Sequence, residues 1–353
     1  MRNVIATGAL EPISGLRIGI MGAGAIGCYV GGCLAVEGSN VVFVGRERAK
    51  KELLASGLVL SDLDGGPDRV LPKDRIELAT DPAALSDCDV VLCCVKSAQT
   101  AETATVLTPL LKKNTLVVSM QNGVRNADVL RAGLADSIVL GGIVGFNVVS
   151  KGDGTFRRAT SGPLVIEKRA DVRLDVLAPA LSAAGFEVEL VADIRPLQWS
   201  KLIMNLNNAV GALTDRPTPD LLFEAGYRRI LRAIMSEAIG VLRAAKEPTA
   251  RLGPLPIGLF SAILALPTPI LRLVASAQVK IDPEARSSMW EDLTRGRPTE
   301  VEYLNGEIVR LAGSCGAPAP LNARMVDIVH DAEKRAAGSP KLSADALWSA
   351  LTA

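Results

Sequence analysis

One histidine, His330, serves a chain of 353 residues. Ser-His-Asp hydrolysis, multi-histidine metal centres and histidine-based dehydrogenation would need more of them, or need this one elsewhere. It lies in MVDIVHDAEK, which reads as the end of the final helix. An exposed or half-buried helical histidine is expected there, so any proton donor must be another residue type, and no metal site is expected. Aromatic residues make up only 3%, too few for platforms that stack nucleic-acid bases. Neither sign of charge is in excess: 39 basic and 38 acidic residues leave a net charge of +1. Nothing in that balance points to nucleic acid or to an anionic membrane surface. The six cysteines (Cys28, Cys33, Cys88, Cys93, Cys94, Cys315) form no C-x-x-C pair. They read as small buried hydrophobes in a reducing compartment. The stretch Met1 to Gly15 has no continuous apolar core of the kind a signal peptide carries, and a cytoplasmic location is expected.

What the chain does have is 48% hydrophobic residues, enough for two packed domains. From Leu16 the order is strand, glycine turn, helix, strand: LRIGIMGAGAIGCYVGGCLAVEGSNVVFVGRER is one βαβ unit. Further strands are expected at DVVLCCVKS, NTLVVSMQNG, SIVLGGIVGFNVV, GPLVIEK and FEVELVADI, the last two separated by a helix over 174–184. Helical periodicity dominates from Trp199 onward. The expected fold is α/β, an N-terminal Rossmann-type doubly wound sheet followed by an all-helical C-terminal domain. The boundary falls near residues 192–198, giving domains 1–195 (with 1–15 as an N-terminal extension) and 196–353. The uncharged stretch from Gly253 to Leu271 is long enough to span a membrane, but Pro254, Pro256, Pro267 and Pro269 leave only a short uninterrupted helix. A buried or interface helix is expected, with a lid or dimer contact as the functional alternative.

The string GAGAIG supplies Gly22, Ala23, Gly24, Ala25, Ile26 and Gly27 between a strand and a helix, the context that a dinucleotide fingerprint requires. The first glycine makes the tight turn, the second admits a pyrophosphate to the backbone, and the third lets helix and strand pack closely. An NAD site wants an acid at the end of the second strand. Here VVFVGRER ends on Gly45 and Arg46, and a guanidinium suits a 2′-phosphate, so NADP(H) is expected in preference to NAD. Glu47 comes a position or two late for the acid, and Arg48 reads as a solvated loop charge. Lys96 and Asn122 arrive at the carboxyl ends of two later strands, where ligands of such sheets sit. On spacing alone Lys96 reads equally as a solvated charge, and Asn122-Gly123 equally as a turn.

In WSKLIMNLNNAV, helical geometry puts Lys201, Asn205 and Asn208 on one face of a largely apolar helix. A partly desolvated lysine can supply a proton and a positive field to an alkoxide, yet a snorkelling helix lysine fits the same pattern.

The motifs GAGAIG, VVLCCVKS, QNG, WSKLIMNLNNAVGALT and SSMWEDLTRGRPTEVEYLNG occur in this order, and together the chain strongly resembles the ketopantoate reductases (2-dehydropantoate 2-reductases). The resemblance covers nearly everything after the first fifteen residues. It implies NADPH-dependent reduction of a 2-oxo acid, 2-dehydropantoate to (R)-pantoate in pantothenate and coenzyme A biosynthesis. It further implies that Lys201 is the catalytic lysine, that Asn205 binds substrate, and that Ser288 and Glu300 match the family's serine and glutamate. Ser288 would bond the substrate's carboxylate or hydroxyl, and Glu300 would orient Lys201 or bind near the nicotinamide ribose. Without the resemblance, both read as ordinary helix-start residues. The family usually has a second asparagine where this chain has Ala209, and Asn208 stands beside that position. Glu302 and Glu307 are expected to be solvated. A small-molecule substrate is expected, no nucleic acid or membrane partner, and a homodimer is allowed for. A reductase of another 2-oxo or 3-oxo acid, or a non-catalytic NADP(H) sensor, is the alternative; the sensor would have no use for the lysine–asparagine face.

Overall fold

The computed structural model describes residues 15–63, 65–252, 255–276 and 286–353. Most of the N-terminal extension, and Gly253 and Pro254 of the apolar segment, lie outside the described residues.

The N-terminal half carries twelve strands: β1 Arg17–Met21, β2 Asn40–Val44, β3 Leu58–Ser61, β4 Arg69–Leu71, β5 Glu77–Ala79, β6 Val90–Cys93, β7 Leu116–Ser119, β8 Ile138–Val144, β9 Val148–Gly152, β10 Thr155–Arg158, β11 Leu164–Glu167 and β12 Val188–Val191. Eight form one sheet in the order β12-β11-β8-β7-β6-β1-β2-β5. Neighbours are parallel except β8 and β11, which run antiparallel. The central strands β6 and β7 are buried at every position, which is why they read as continuous apolar runs. The chain winds outward from β1 to β2 and β5, then returns to β6 on the other side of β1. That reversal opens a crevice at the carboxyl ends of β1 and β6.

Two features depart from expectation. Strands β3, β4, β9 and β10 make a separate four-stranded sheet, order β4-β3-β10-β9, packed beside the helix α1, Ala25–Val36. Its members are only three to five residues long, and strands so short leave little periodicity to read. The run from Ser137 into Val149 is also two strands rather than one, because the chain leaves the large sheet after Val144.

Two further helices of this half bear on the site, α2 Glu47–Ser56 and α3 Thr100–Leu107; α4 Asn126–Gly133 and α5 Val172–Ala183 complete it. From Arg195 onward the fold is almost wholly helical: α6 Arg195–Asn205, α7 Asn207–Thr214, α8 Thr218–Phe223, α9 Ala225–Ala244, α10 Ile257–Ile263, α11 Thr268–Ser276, α12 Ser288–Thr294, α13 Asn305–Cys315, α14 Pro320–Arg335 and α15 Ala344–Thr352. Their buried side chains form a core of their own around α9, separate from the core under the large sheet. His330 lies in α14, with α15 still to come, so its helix is not the last. Among the described residues no helix is long and apolar enough to cross a membrane. The prolines confine the apolar segment to the short helices α10 and α11. The described cysteines are unpaired; four are buried, while Cys94 and Cys315 are partly exposed.

Candidate active site

The glycine turn follows β1 directly. Gly22 has φ +109°, and a Cβ there would lie 2.9 Å from the backbone of Cys94 and Val95. A Cβ on Gly27 would lie 2.1 Å from the Gly22 carbonyl oxygen, so helix α1 can close on the turn only without a side chain at that position. Gly24, the N-cap of α1, is different: nothing lies within 4 Å of a Cβ built on it. The backbone is therefore open where an anion would meet the helix N-terminus, and the turn fits a pyrophosphate. Gly22 and Ala23 donate their N–H groups to the Val44 carbonyl, which ties the turn to the end of β2. There Arg46 caps α2, exposed, its guanidinium unpaired among the described residues. Arg48 lies within α2 rather than in a loop.

Helix α6 presents the lysine. Trp199, Leu202 and Ile203 are buried in the helical core. The Trp199 indole donates to Glu247 at 2.9 Å, Arg195 pairs with the same carboxylate, and the Ser200 hydroxyl donates to the Ala250 carbonyl. With that face fixed, helical geometry turns Lys201 and Asn205 away from the core. Lys201 Nζ donates to Asn122 Oδ1 at 3.1 Å and to the Val144 carbonyl at 2.5 Å. Both acceptors belong to the sheet domain, so Lys201 reaches across the cleft. The residue as a whole is half-buried, but its ammonium is desolvated. Burial pulls its pKa down to about 8, partly opposed by the charge of Glu300.

Asn205 Nδ2 reaches Asn122 Oδ1 at 3.5 Å, and Asn122 Nδ2 reaches Glu300 Oε2 at the same distance. The other oxygen of Glu300 accepts from the Ser97 backbone N–H at 3.0 Å and the Ser97 hydroxyl at 2.9 Å. Lys201, Asn205, Asn122 and Glu300 thus form one connected set. A buried polar group beneath it went unread in the sequence: Gln121 donates to Thr100, Thr100 to Asn126, and Asn126 to Ser97 and the Asn122 carbonyl. The signal was faint, a serine after VVLCCVK and an asparagine three residues past QNG.

Lys96 is not simply solvated. Its ammonium pairs with Asp292 of α12, a carboxylate that is almost fully buried. Burial pushes that carboxyl up to about 6 against the pull of Lys96, and Glu300 and Glu291 raise it further. Asp292 was another residue missed, since nothing in the local sequence announces a partner in the other domain.

The rest of the polar face is divided. The stretch after Trp199 is two helices rather than one: α6 ends at Asn205, α7 begins at Asn207, and Leu206 N–H bonds the Ile203 carbonyl three residues back. Three asparagines in four residues compete for backbone hydrogen bonds and weaken the helix here. Asn208 is half-buried and its side chain joins none of the set; its carbonyl accepts from the Ser287 hydroxyl at 3.0 Å. Ala209 is fully buried in the helical core. Ser287 caps α12, whereas Ser288 is exposed at the first residue of that helix. Glu307, expected in solvent, is 2% exposed and held between Arg125 and Arg310. Its buried carboxylate meets two half-exposed guanidiniums, Arg125 from the sheet domain and Arg310 from its own helix, and is stabilised where a lone carboxylate would not be.

A doubly wound sheet whose glycine turn faces a polar cleft, closed by a lysine from a helical domain, defines a two-domain dinucleotide-dependent oxidoreductase. Residues 18–171 match the family described as ketopantoate reductase PanE/ApbA, and residues 193–333 match its C-terminal part. The chain belongs to the ketopantoate reductase family. It is 28% identical over 324 residues to the 2-dehydropantoate 2-reductase of Halobacterium salinarum, covering 90% of this chain and 99% of that one. A solved PanE/ApbA family ketopantoate reductase from Ralstonia eutropha is 34% identical with a TM-score of 0.75, covering 91% and 99% of the two chains. A D-mandelate dehydrogenase solved with NADH and anilino(oxo)acetate shares the fold at 20% identity, TM-score 0.73, covering 91% and 99%.

Proposed function

We propose that this chain is an NADPH-dependent reductase of a 2-oxo acid, converting 2-dehydropantoate to (R)-pantoate in pantothenate and coenzyme A biosynthesis, with residues 1–195 holding the cofactor and 196–353 the substrate. In this reading Gly22, Ala23, Gly24, Ala25, Ile26 and Gly27 receive the pyrophosphate, and Arg46 the 2′-phosphate. Lys96, Asn122 and Glu300 add contacts to the cofactor, while Asn122, Asn205, Asn208 and Ser288 orient the substrate. The observation that carries the proposal is the desolvated ammonium of Lys201 held in the cleft against Asn122.

The bound nicotinamide supplies a hydride to the ketone carbon. Charge then develops on the ketone oxygen, and a positive donor already in place lowers that barrier without reorganisation. Lys201 gives this oxygen its proton, and a pKa of about 8 leaves the amine protonated near neutrality yet willing to release. Asn122 and the Val144 carbonyl fix the direction of the ammonium, and the charge of Glu300 keeps it protonated.

The test is NADPH oxidation by the purified chain with 2-dehydropantoate beside other branched and aromatic 2-oxo acids. A preference for 2-dehydropantoate of at least one order of magnitude in kcat/KM is the expected result. Preference for another acid would reassign the substrate, and NADPH binding without turnover on any acid would remove the enzymatic reading. A homodimer belongs to the same proposal, supported by the exposed apolar side chains Leu259 and Ile270 on α10 and α11, and light scattering reads it.

A further inference from the structure

We infer that His330 is a positioning residue for the reaction: as an imidazolium between Glu302 and Glu333 it fixes the turn that delivers Glu300 to the cleft. The inference rests on the role proposed for Glu300.

Glu300 stands at the head of a single 3-10 turn, Val301–Tyr303, too short to hold itself in place. Both of its flanks are tied to α14. On one side the Thr299 N–H donates to Glu333 Oε1 at 2.6 Å. On the other, Glu302 Oε1 lies 2.7 Å from His330 Nε2. The two ties meet at one ring, because His330 Nδ1 lies 2.8 Å from Glu333 Oε2. Room for the Glu302 carboxylate is left by Gly306, where a Cβ would lie 2.5 Å from Glu302 Oε2.

Ionised carboxylates only accept hydrogen bonds, so two of them on one imidazole require both ring nitrogens to donate, which only the protonated ring does. The charged groups acting on the ring are Glu333 from its own helix and Glu302 from the turn, while Thr299 contributes a neutral backbone donor. The bond to Glu302 raises the histidine pKa, burial opposes it, and Glu333 adds to the rise. With a neutral ring, one of the two bonds lacks a donor, so the ring no longer joins Glu302 to the Thr299–Glu333 tie, and the turn is held less firmly on α14. The tie is therefore present below the ordinary histidine value of 6.5 and is lost as pH climbs through the raised native value.

Because the chain has one histidine, its imidazole gives a single titrating NMR signal in the full-length protein. That midpoint should lie above 6.5 in the wild type and move down toward it in Glu302→Gln. His330→Gln should lower kcat/KM by about ten- to a hundredfold, the range for a group misplaced by up to about 1 Å, and should lose the inflection expected in the wild-type rate profile at the NMR midpoint. In a Glu300→Gln background the same change should cost nothing further. A midpoint at or below 6.5 overturns the inference without needing any variant to fold. Equal losses from His330→Gln in both backgrounds overturn it too, by showing an effect that does not pass through Glu300. Full activity of Glu300→Gln alone would instead remove the role of Glu300, and the positioning role with it, and is read separately from the titration.

Discussion

Lys201 and Asn122 meet across the cleft, the ammonium donating to the amide oxygen at 3.1 Å. One residue belongs to α6 and the other follows β7, so the proton donor and its guide are carried by different domains. Lys201→Ala should cut kcat by roughly 10² to 10⁴, the range for a general acid. NADPH affinity should change little, because no part of the glycine turn depends on Lys201. Steady-state rates beside direct NADPH titration check both halves.

The same lysine makes activity and stability move in opposite directions with pH. Turnover requires its protonated form, so kcat should fall about tenfold per unit above about 8, a limb separate from the inflection that His330 sets. The folded-state pKa lies below the ordinary 10.5. Between those values the unfolded chain binds the extra proton, and stability therefore rises with pH across that window. Denaturant melts over the window should show this rise in the wild type and lose it in Lys201→Met.

Gly24 and Gly27 serve different ends, and alanine separates them. Gly24→Ala should fold normally, since nothing crowds its Cβ, but should weaken NADPH binding by about tenfold or more by filling the approach to the helix N-terminus. Gly27→Ala would drive a methyl into the Gly22 carbonyl and should destabilise the domain by about 1–3 kcal/mol, the usual range for overpacking. Melting curves and cofactor titrations on the pair distinguish a binding defect from a folding defect.

Arg46, just past the end of β2, is exposed and unpaired among the described residues. Its replacement by alanine should cost NADPH about 10- to 100-fold in Kd, the worth of a hydrogen bond to a charged group, and leave NADH untouched. Equal losses for both cofactors would remove Arg46 from the 2′-phosphate.

The glycine turn was legible because its spacing is a compact signature between a strand and a helix, with Gly27 packed on the Gly22 carbonyl five residues back; the approach of Cys94 and Val95 to Gly22 was not legible. Lys201 was legible through its motif and through an apolar helix face that leaves one side polar. Partnerships between distant segments were not. Nothing near Lys96 in sequence announced the Asp292 carboxylate that pairs with it. Glu307 read as a surface charge, yet Arg125 and Arg310 enclose it. Such pairs depend on how the domains meet, which spacing along one helix does not encode. The break at Leu206 escaped for another reason: each asparagine is tolerable in a helix, and only their cluster ends it.

Ser97, Glu300, Asn122 and Lys201 are joined in one hydrogen-bonded run that crosses from one domain to the other. A ligand that takes a bond from any member disturbs the next, so the two halves of the molecule sense an occupant together.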